Sequence, residues 1–394
     1  MALNDSFDPA TVSRDVAQTQ APLNKAVHVP GFIYNSETVF ALEKDRLFMK
    51  EWVCTIREEQ VANPGDYIAM RAMGEPFIVC RDNDGNINAF ANICAHRGVE
   101  VASGEGNLKE FSCPYHGWLY DLKGKLIGAP YMKEAEGFDP ANCQLRPLQV
   151  ATWERWVFIS FNHNAEPFDK FIEHFDREFG WLQMRDCRLG DRAVLEVNCN
   201  WKFINENLMD VYHFQTLHAD SFGGYLDGEK FKIELTDRGG VSAFYKAAPM
   251  VPEGKSLFGP MPWMGEENMD LGCMGHLPPN LHIFGRGDAV TVYVIWPTAP
   301  DKTQVVIHHL FPAEHHELPD FKEKLKVYYD YQILVVSEDN SMVEGMQRNM
   351  GSTRFVPGPM SEHEKTVHNI INGYLTRTFG EEGVQVAVAA ESAT

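Results

Sequence analysis

The sequence predicts an α+β fold in two domains, and the distribution of strand-like and helical segments carries this prediction. Residues 46–162 hold short apolar strand candidates separated by turns, as in a small β-rich domain. From residue 163 onward, longer strand candidates mix with helical stretches, which favours an antiparallel sheet covered by helices. We assign residues 1–45 to the same domain as residues 163–394.

The β-rich domain is expected to follow a short helix that runs from about Glu37 to about Phe48. Phe77–Cys80 is predicted to be a strand because the turn residues Asp82–Gly85 follow it. Trp156–Phe161 is a short apolar run and is predicted to be a buried strand. Such a scaffold can present chemically active side chains on its loops.

The second domain contains two long β-branched runs, Ala289–Trp296 and Thr303–Leu310, which we expect to pair as antiparallel neighbours. Phe321–Leu334 is strongly helical. The capping-box pattern Ser361–Glu364 predicts a last helix, and the residues from Val384 to Thr394 are expected to be frayed.

Composition excludes several classes of function. The net charge is −20 and no basic tract is present, which argues against binding to nucleic acid or anionic lipid. No apolar run reaches the roughly 18 residues of a membrane span, and Met1–Ser6 lacks the features of a signal peptide. The eight cysteines are scattered rather than spaced as a disulfide framework, so we expect a reducing, cytoplasmic location.

Two Cys-His pairs are the most informative feature of the chain. Cys94 and His96 are separated by sixteen residues from a second pair, Cys113 and His116. Two thiolates and two imidazoles suit a tetrahedral zinc ion, or a [2Fe-2S] cluster in which cysteines hold one iron and histidines the other. Structural zinc sites usually pair cysteine with cysteine and histidine with histidine along the chain. Here each loop supplies one cysteine and one histidine, so we favour the cluster.

A second set of candidate ligands lies after residue 200. Non-haem iron that activates oxygen is typically held by two imidazoles and one carboxylate. His213 and His218 are five residues apart, about 140° around an ideal helix, so a helix must distort or end between them. Asp210 lies three residues before His213. Taken alone, the two histidines would be interpreted as ordinary helix residues rather than as a metal site.

Together the two segments give the chain a family resemblance. The run Cys94–Trp118, with Gly124 and Pro130 after it, resembles the Rieske domain of the Rieske non-haem iron oxygenases. The run Asn200–His218 resembles the mononuclear-iron motif of the same enzymes. The two matches span residues 46 to 350, and their order fits the large (alpha, terminal oxygenase) subunit of the aromatic-ring-hydroxylating type.

The resemblance implies a third iron ligand on the helix that contains Val336–Glu344. It assigns this role to Asp339, with Glu338 as the rival. An acidic pair on a helix is more often a solvated face, so the assignment comes from the family pattern. Neighbours on a helix point about 100° apart, so only one of the pair can face the iron.

The resemblance also implies roles for two residues of the histidine motif. Asp210 is expected to bridge His116 of one subunit and His213 of its neighbour within a homotrimer. Asn207 is expected to lie near the iron and to order oxygen or water.

The implied activity is insertion of oxygen from O2 into a small molecule. Electrons would enter the [2Fe-2S] cluster and pass to mononuclear Fe(II). The chain shows no dinucleotide-binding fingerprint, so a separate NAD(P)H reductase, with or without a ferredoxin, is expected to supply them.

The substrate is the least constrained feature. The main expectation is hydroxylation or oxidative N- or O-dealkylation of an apolar, aromatic molecule, and the alternative is monooxygenation of a quaternary ammonium compound of the choline, carnitine or betaine type. A Rieske electron carrier or a zinc-binding protein without oxygenase activity is a further alternative.

Val335 and Tyr331, one and two turns before Asp339, are pocket candidates. Glycine-rich segments are candidate pocket walls: Ser221–Tyr225, Leu257–Met264 and Cys273–Pro279.

Metal and sulfide analysis distinguishes a [2Fe-2S] cluster from a zinc ion at these four residues. If Cys94, His96, Cys113 and His116 hold a [2Fe-2S] cluster, the purified protein should contain acid-labile sulfide in a near-equimolar ratio to the cluster iron. Stoichiometric zinc without sulfide would contradict the assignment.

Overall fold

The chain divides into two compact units in a computed structural model, which describes residues 9–222 and 232–380. One unit is Phe48–Ile172, and the other combines Met1–Leu47 with Glu173–Thr394. The β-rich unit begins two residues after the predicted position 46 and ends ten residues beyond the predicted position 162. The ring of Phe168 packs 5.1 Å from the rings of both Trp52 and Phe158, which keeps the residues after 162 with the β-rich unit.

The helices belong to the second unit, which includes the N-terminal segment, apart from residues 168–172 of the fourth helix, which lie in the β-rich unit. Their bounds are α1 Pro9–Val16, α2 Phe32–Asn35, α3 Glu37–Glu43, α4 Phe168–Phe179, α5 Trp201–Met209, α6 Phe214–Leu217, α7 Phe321–Asn349 and α8 Lys365–Phe379.

The β-rich unit is built from three small antiparallel sheets. Its strands are β1 Val53–Arg57, β2 Asp66–Ala72, β3 Glu75–Arg81, β4 Ile87–Ala91, β5 Glu105–Asn107, β6 Phe111–Ser112, β7 Leu119–Tyr120, β8 Leu126–Gly128, β9 Gln149–Trp153 and β10 Trp156–Ser160. Within the described residues the sheet orders are β1-β10-β9, β4-β3-β2-β5 and β6-β7-β8. The loops after β4 and β6 carry the two Cys-His pairs.

The second unit contains an antiparallel sheet covered by helices. Its strands are β11 Cys187–Val197, β12 Lys232–Leu235, β13 Val241–Lys246, β14 Leu271–Leu277, β15 Leu281–Gly285, β16 Val290–Ala299 and β17 Lys302–Pro312. The order in the described part of the chain is β11-β17-β16-β15-β14-β13-β12. Helices α5, α7 and α8 pack on this sheet through β16, β11 and β13. The predicted α+β class is confirmed.

Several predicted elements are also present with shifted bounds. Strands β16 and β17 pair antiparallel, with Tyr293 opposite Ile307. The capping box forms, since the Ser361 hydroxyl and the Glu364 carboxylate bond each other's backbone, and α8 follows it. The terminal residues from Val384 lie outside the described part.

No helix in the described residues is both long and apolar enough to cross a membrane.

A buried charged network joins the N-terminal segment to the helices of the second unit. Glu43 at the end of α3 accepts hydrogen bonds from Trp201 Nε1 on α5 and from the Tyr374 hydroxyl on α8, each 2.7 Å long. Lys202 forms an ion pair with the same carboxylate. Burial lowers the pKa of Lys202, and the charge of Glu43 opposes this effect. The network fixes the start of α5, which leads to the histidine motif.

Replacement of Glu43 by Gln should destabilise the protein because it leaves Lys202 buried without a counter-charge. We expect a loss of about 3–5 kcal/mol in the free energy of unfolding, measured by urea denaturation. Glu37→Gln is the matched control, since Glu37 is exposed on the same helix, and it should change stability by about 0.5 kcal/mol or less. Equal effects of the two changes would contradict this role for Glu43.

Candidate metal centres and substrate cavity

The two Cys-His loops share one backbone design. In each loop, the cysteine N–H donates to the carbonyl five residues later, and the cysteine carbonyl accepts from a glycine N–H four residues later. The residues are Cys94, Gly98 and Val99 in the first loop and Cys113, Gly117 and Trp118 in the second, with bonds of 2.8 to 3.0 Å. Gly98 and Gly117 have φ of +78° and +69°, a conformation that strains other residues. Each glycine therefore allows its loop to fold back around the cysteine.

The loops bury the thiols and expose the imidazoles. Cys94 and Cys113 are 2% and 3% exposed within an apolar cluster, whereas His96 and His116 lie at the surface. The two imidazole rings are neighbours, with centroids 4.6 Å apart, and the indole of Trp118 stacks on His96 at 4.9 Å. The histidine edge of this centre is thus exposed on the surface of the single chain.

Tyr120 provides a hydrogen bond to the thiol side of this centre. Its hydroxyl lies 3.2 Å from Cys94 Sγ and accepts a bond from the Ala95 N–H. Burial raises the pKa of Tyr120, so the hydroxyl stays protonated and can donate to a thiolate. Hydrogen bonds to cluster sulfur are one of the means by which proteins set the reduction potential.

The burial of these side chains matches the division of ligands in a [2Fe-2S] cluster. The two thiols lie in the same apolar cluster, and the two imidazoles are neighbours at the surface. This division fits a cluster with the buried thiols on one iron and the exposed imidazoles on the other.

The second histidine pair lies where a helix has been interrupted. Helix α5 ends at Met209, whose carbonyl accepts a 2.7 Å bond from the hydroxyl of Thr366. Asp210 then takes an extended conformation, with φ −80° and ψ 116°. His213 and His218 sit at the two ends of the one-turn helix α6. The chain thereby brings together two side chains that a regular helix would splay apart.

Helix α7 supplies the carboxylate that completes this group. Asp339 Oδ1 lies 3.0 Å from His218 Nε2 and 3.4 Å from His213 Nε2, and the two Nε2 atoms are 3.2 Å apart. The three ligand atoms all lie within 4.8 Å of one another. Asp339 Oδ1 is buried and makes no hydrogen bond of good geometry. Two imidazoles and one carboxylate around one point are the donor set expected for non-haem Fe(II).

Two further carboxylates hold the rings in this orientation. Asp210 Oδ2 lies 3.0 Å from His213 Nδ1, and Glu338 Oε2 lies 2.6 Å from His218 Nδ1. An ionised carboxylate only accepts hydrogen bonds, so each Nδ1 carries the proton and each Nε2 keeps its lone pair for a metal. Ser221 donates a 2.9 Å bond to the same Glu338 oxygen.

The electrostatics of the group favour a cation. Burial lowers the pKa of His213, but the hydrogen bonds and charges of Asp210 and Asp339 outweigh it and raise this pKa to about 9. Burial likewise raises the pKa of Asp339, yet its two histidine neighbours lower it overall. A divalent cation would supply the positive charge that these carboxylates attract, so the residues fit mononuclear iron.

Glu338 and Asp339 therefore occupy different positions around one imidazole. Both approach His218, but Asp339 faces Nε2 and Glu338 faces Nδ1. The sequence offered Glu338 only as a rival ligand, and its contact with Nδ1 was missed. No local signal could have revealed this contact, because it depends on where α7 lies relative to α6.

The triad opens onto a cavity. Asn207 and Val335 line it, in the positions that the sequence predicts, but Tyr331 does not, although it is buried. Tyr331 precedes Asp339 by eight residues, about 80° out of line on a helix, whereas Gln332 precedes it by seven and is only about 20° away. Gln332 accordingly lines the cavity.

The expected glycine-rich walls are largely absent from the lining. Phe222 lines the cavity, while residues 223–225 lie outside the described part of the chain. Leu257–Met264 contributes no lining residue, since Phe258 packs on Phe311 and Tyr328. Cys273–Pro279 contributes none either, because it belongs mainly to strand β14.

Aromatic rings and one arginine complete the cavity. The aromatic lining residues are Phe214, Phe222, Tyr245, Phe284 and Tyr293. Arg286 also lines it and is only 6% exposed. Sequence reasoning missed Arg286, since a single arginine between two glycines matches no motif.

Two family models match the chain, in the order of its two units. The Rieske [2Fe-2S] domain matches residues 51–153, and the ring hydroxylating alpha subunit (catalytic domain) matches residues 184–378.

The chain is also similar to oxygenase subunits of known name. The carnitine monooxygenase oxygenase subunit of Acinetobacter baumannii is 36% identical over 200 residues, which is 49% of this chain and 53%, or about half, of that relative. The glycine betaine monooxygenase oxygenase subunit of Pseudomonas aeruginosa is 26% identical over 100% of this chain and 99% of its own length.

One solved structure shares the architecture throughout. It is a quaternary ammonium Rieske monooxygenase in complex with its substrate γ-butyrobetaine, with a TM-score of 0.75 and 26% identity over 91% of this chain and 98% of that chain.

Substitutions on α7 should separate the ligand from the orienting group. Asp339→Ala should deplete mononuclear iron and leave the cluster spectrum intact, because it removes the anionic donor. Glu338→Gln should retain the site but weaken iron binding by about 10–100-fold, since it alters only the partner of Nδ1. Iron content after dialysis against graded chelator measures both effects.

Asp330→Asn is the control, since Asp330 is an exposed carboxylate on the same helix, and it should bind iron normally. Complete loss of iron in Glu338→Gln, with retention of iron in Asp339→Ala, would make Glu338 the iron ligand and Asp339 the residue that orients His218.

Proposed function

Because the chain belongs to the Rieske non-haem iron oxygenases, carrying both their cluster domain and their alpha-subunit catalytic domain, we propose that it is the oxygenase subunit of a multicomponent monooxygenase for a quaternary ammonium compound. The observation that carries the substrate class is the full-length similarity to a glycine betaine monooxygenase oxygenase subunit. The partial match to a carnitine monooxygenase supports the same class. These relatives favour the alternative drawn from the sequence over its main expectation of an aromatic substrate.

The proposed reaction hydroxylates one C–H bond of the substrate. One molecule of O2, two electrons and two protons are consumed, one oxygen atom enters the C–H bond, and the other leaves as water. When bound, iron(II) supplies oxygen activation and the [2Fe-2S] cluster supplies electrons one at a time.

The protein's own residues prepare the site for this chemistry. Asp210 and Glu338 keep His213 and His218 in the tautomer that presents Nε2 to the metal. Asp339 provides the single anionic donor, which leaves one face of the site open to the cavity.

The aromatic walls suit a cationic N-alkyl group. Ring faces attract a trimethylammonium group by cation–π interaction, worth about 0.5–2 kcal/mol per ring when the cation is desolvated. The rings Phe214 and Phe222 contact each other, with centroids 5.3 Å apart, and Phe222 lies 4.5 Å from the His218 ring. An ammonium group bound there would place its neighbouring C–H bonds beside the triad.

The proposal includes partners. Electrons come from a separate NAD(P)H reductase, with or without a ferredoxin, and the subunit acts as a homotrimer. In the arrangement that the family resemblance implies, Asp210 connects His213 to His116 of a neighbouring copy.

Turnover of a substrate panel tests this function. With a reconstituted reductase, NADH and ¹⁸O2, trimethylammonium compounds should give products that carry one labelled oxygen, whereas arenes such as naphthalene should not. The oxygenase with NADH alone should give no product.

Rapid labelling of arenes with no reaction of any trimethylammonium compound would contradict the proposed substrate class. Efficient turnover with NADH alone would contradict the need for a reductase.

A further inference from the structure

Arg286 places a permanent positive charge in the wall of the cavity. It follows β15 directly and begins the turn into β16, where its N–H donates a 2.9 Å bond to the Ala289 carbonyl. The side chain lines the cavity and is 6% exposed. The residue therefore stands on the end of a sheet hairpin, a rigid support for a binding group.

Only one edge of the guanidinium is used by the protein. Nη1 donates to the Tyr245 hydroxyl at 2.7 Å and to the Gly285 carbonyl at 3.4 Å. Nε is buried without a hydrogen-bond partner, and Nη2 makes no hydrogen bond to any described residue. These two nitrogens form the side of the guanidinium that can bind a carboxylate through two parallel bonds.

Arg286 forms no ion pair with a carboxylate in the described part of the chain. Asp288, two residues further along the turn, accepts a hydrogen bond from the Tyr328 hydroxyl. The charge of Arg286 lowers the pKa of Asp288, but burial outweighs this effect and raises that pKa overall. An unpaired buried charge is costly, so the cavity is arranged to receive an anion.

The other charged group of the cavity wall does not change this conclusion. Asp339 is the carboxylate among the lining residues, and it is committed to the histidine pair. A divalent metal at that triad would be balanced by Asp339 together with Asp210 and Glu338, which bond the Nδ1 atoms of the two histidines. Arg286 is then the charged side chain of the cavity wall that forms no ion pair with a carboxylate in the described part of the chain.

We propose that the substrate carries a carboxylate, which the Nε/Nη2 edge of Arg286 binds. The inference rests on the proposed function, and it narrows the substrate class to zwitterions in which a trimethylammonium group and a carboxylate share a short chain. The carboxylate lies at Arg286, and the ammonium group contacts the aromatic rings. A trimethylammonium alcohol has no group for Arg286 and binds poorly.

Three ligands of similar size and shape test the inference by calorimetry. They are γ-butyrobetaine, its methyl ester, which keeps only the cation, and 5,5-dimethylhexanoate, which keeps only the carboxylate. The metal-loaded protein is titrated without oxygen or reductant, so that binding is measured without turnover. The wild type should bind γ-butyrobetaine about 100-fold more tightly than the ester, a difference that corresponds to two bonds to a charged group.

Variants at Arg286 assign this preference to the residue. Arg286→Gln should weaken binding of γ-butyrobetaine about 100-fold and change ester binding less than about threefold. Arg286→Lys should be intermediate, because lysine keeps the charge but loses the planar pair of donors. Arg192→Gln, a change at an exposed arginine of β11, should alter neither value.

The outcomes separate this inference from the proposed function. Equal binding of γ-butyrobetaine and its ester by the wild type would overturn the inference while the ammonium assignment stands, and this comparison does not depend on a variant that folds. Binding of 5,5-dimethylhexanoate in an Arg286-dependent manner, with turnover of no trimethylammonium compound, would overturn the proposed function and support the carboxylate site.

Discussion

Two carboxylate–imidazole hydrogen bonds are the constraint on which the catalytic unit depends. His213 and His218 can serve one ion only if both rings turn the same nitrogen inward, and Asp210 and Glu338 impose this by holding the two Nδ1 atoms. The backbone follows the same requirement. Helix α5 ends before His213, and a single helical turn separates the two histidines. The 29-residue helix α7 then brings Asp339 to both Nε2 atoms.

The sequence predicted the parts of the molecule that are set by local spacing. The Cys-His loops have a short, fixed backbone pattern, and the long β-branched runs could pair in few ways. A helix interruption was predicted between His213 and His218, since residues five apart on a helix cannot face one point, but the interruption lies before His213, at residues 210–212, and a helical turn joins the two histidines. The positions of helices relative to one another could not be predicted from the sequence. Glu338 and Asp339 are adjacent acids, and only the position of α7 decides which nitrogen of His218 each one meets.

Arg286 and Tyr331 show two other limits of sequence reasoning. A lone arginine between glycines has no motif, and its importance comes from a cavity whose walls are distant in sequence. Tyr331 was predicted to face the cavity because it lies about two helical turns before Asp339. Residues eight apart on a helix point about 80° away from each other, whereas residues seven apart point in nearly the same direction. The cavity therefore contains Gln332 in place of its neighbour. Arg286 in one wall and the metal-binding triad in another together determine how a substrate is oriented in the cavity.

If the two metal centres act together, oxidation of the cluster accompanies oxygenation of the substrate, and a single turnover can show this. Oxygenase with its cluster reduced and its reductase removed is mixed with O2 and a trimethylammonium carboxylate, while the cluster absorbance is followed and the product is quantified. We expect that the cluster is oxidised and that product forms in an amount that approaches one per mononuclear iron. Product formation while the cluster stays reduced, or cluster oxidation that yields no product from any substrate of the panel, would contradict it.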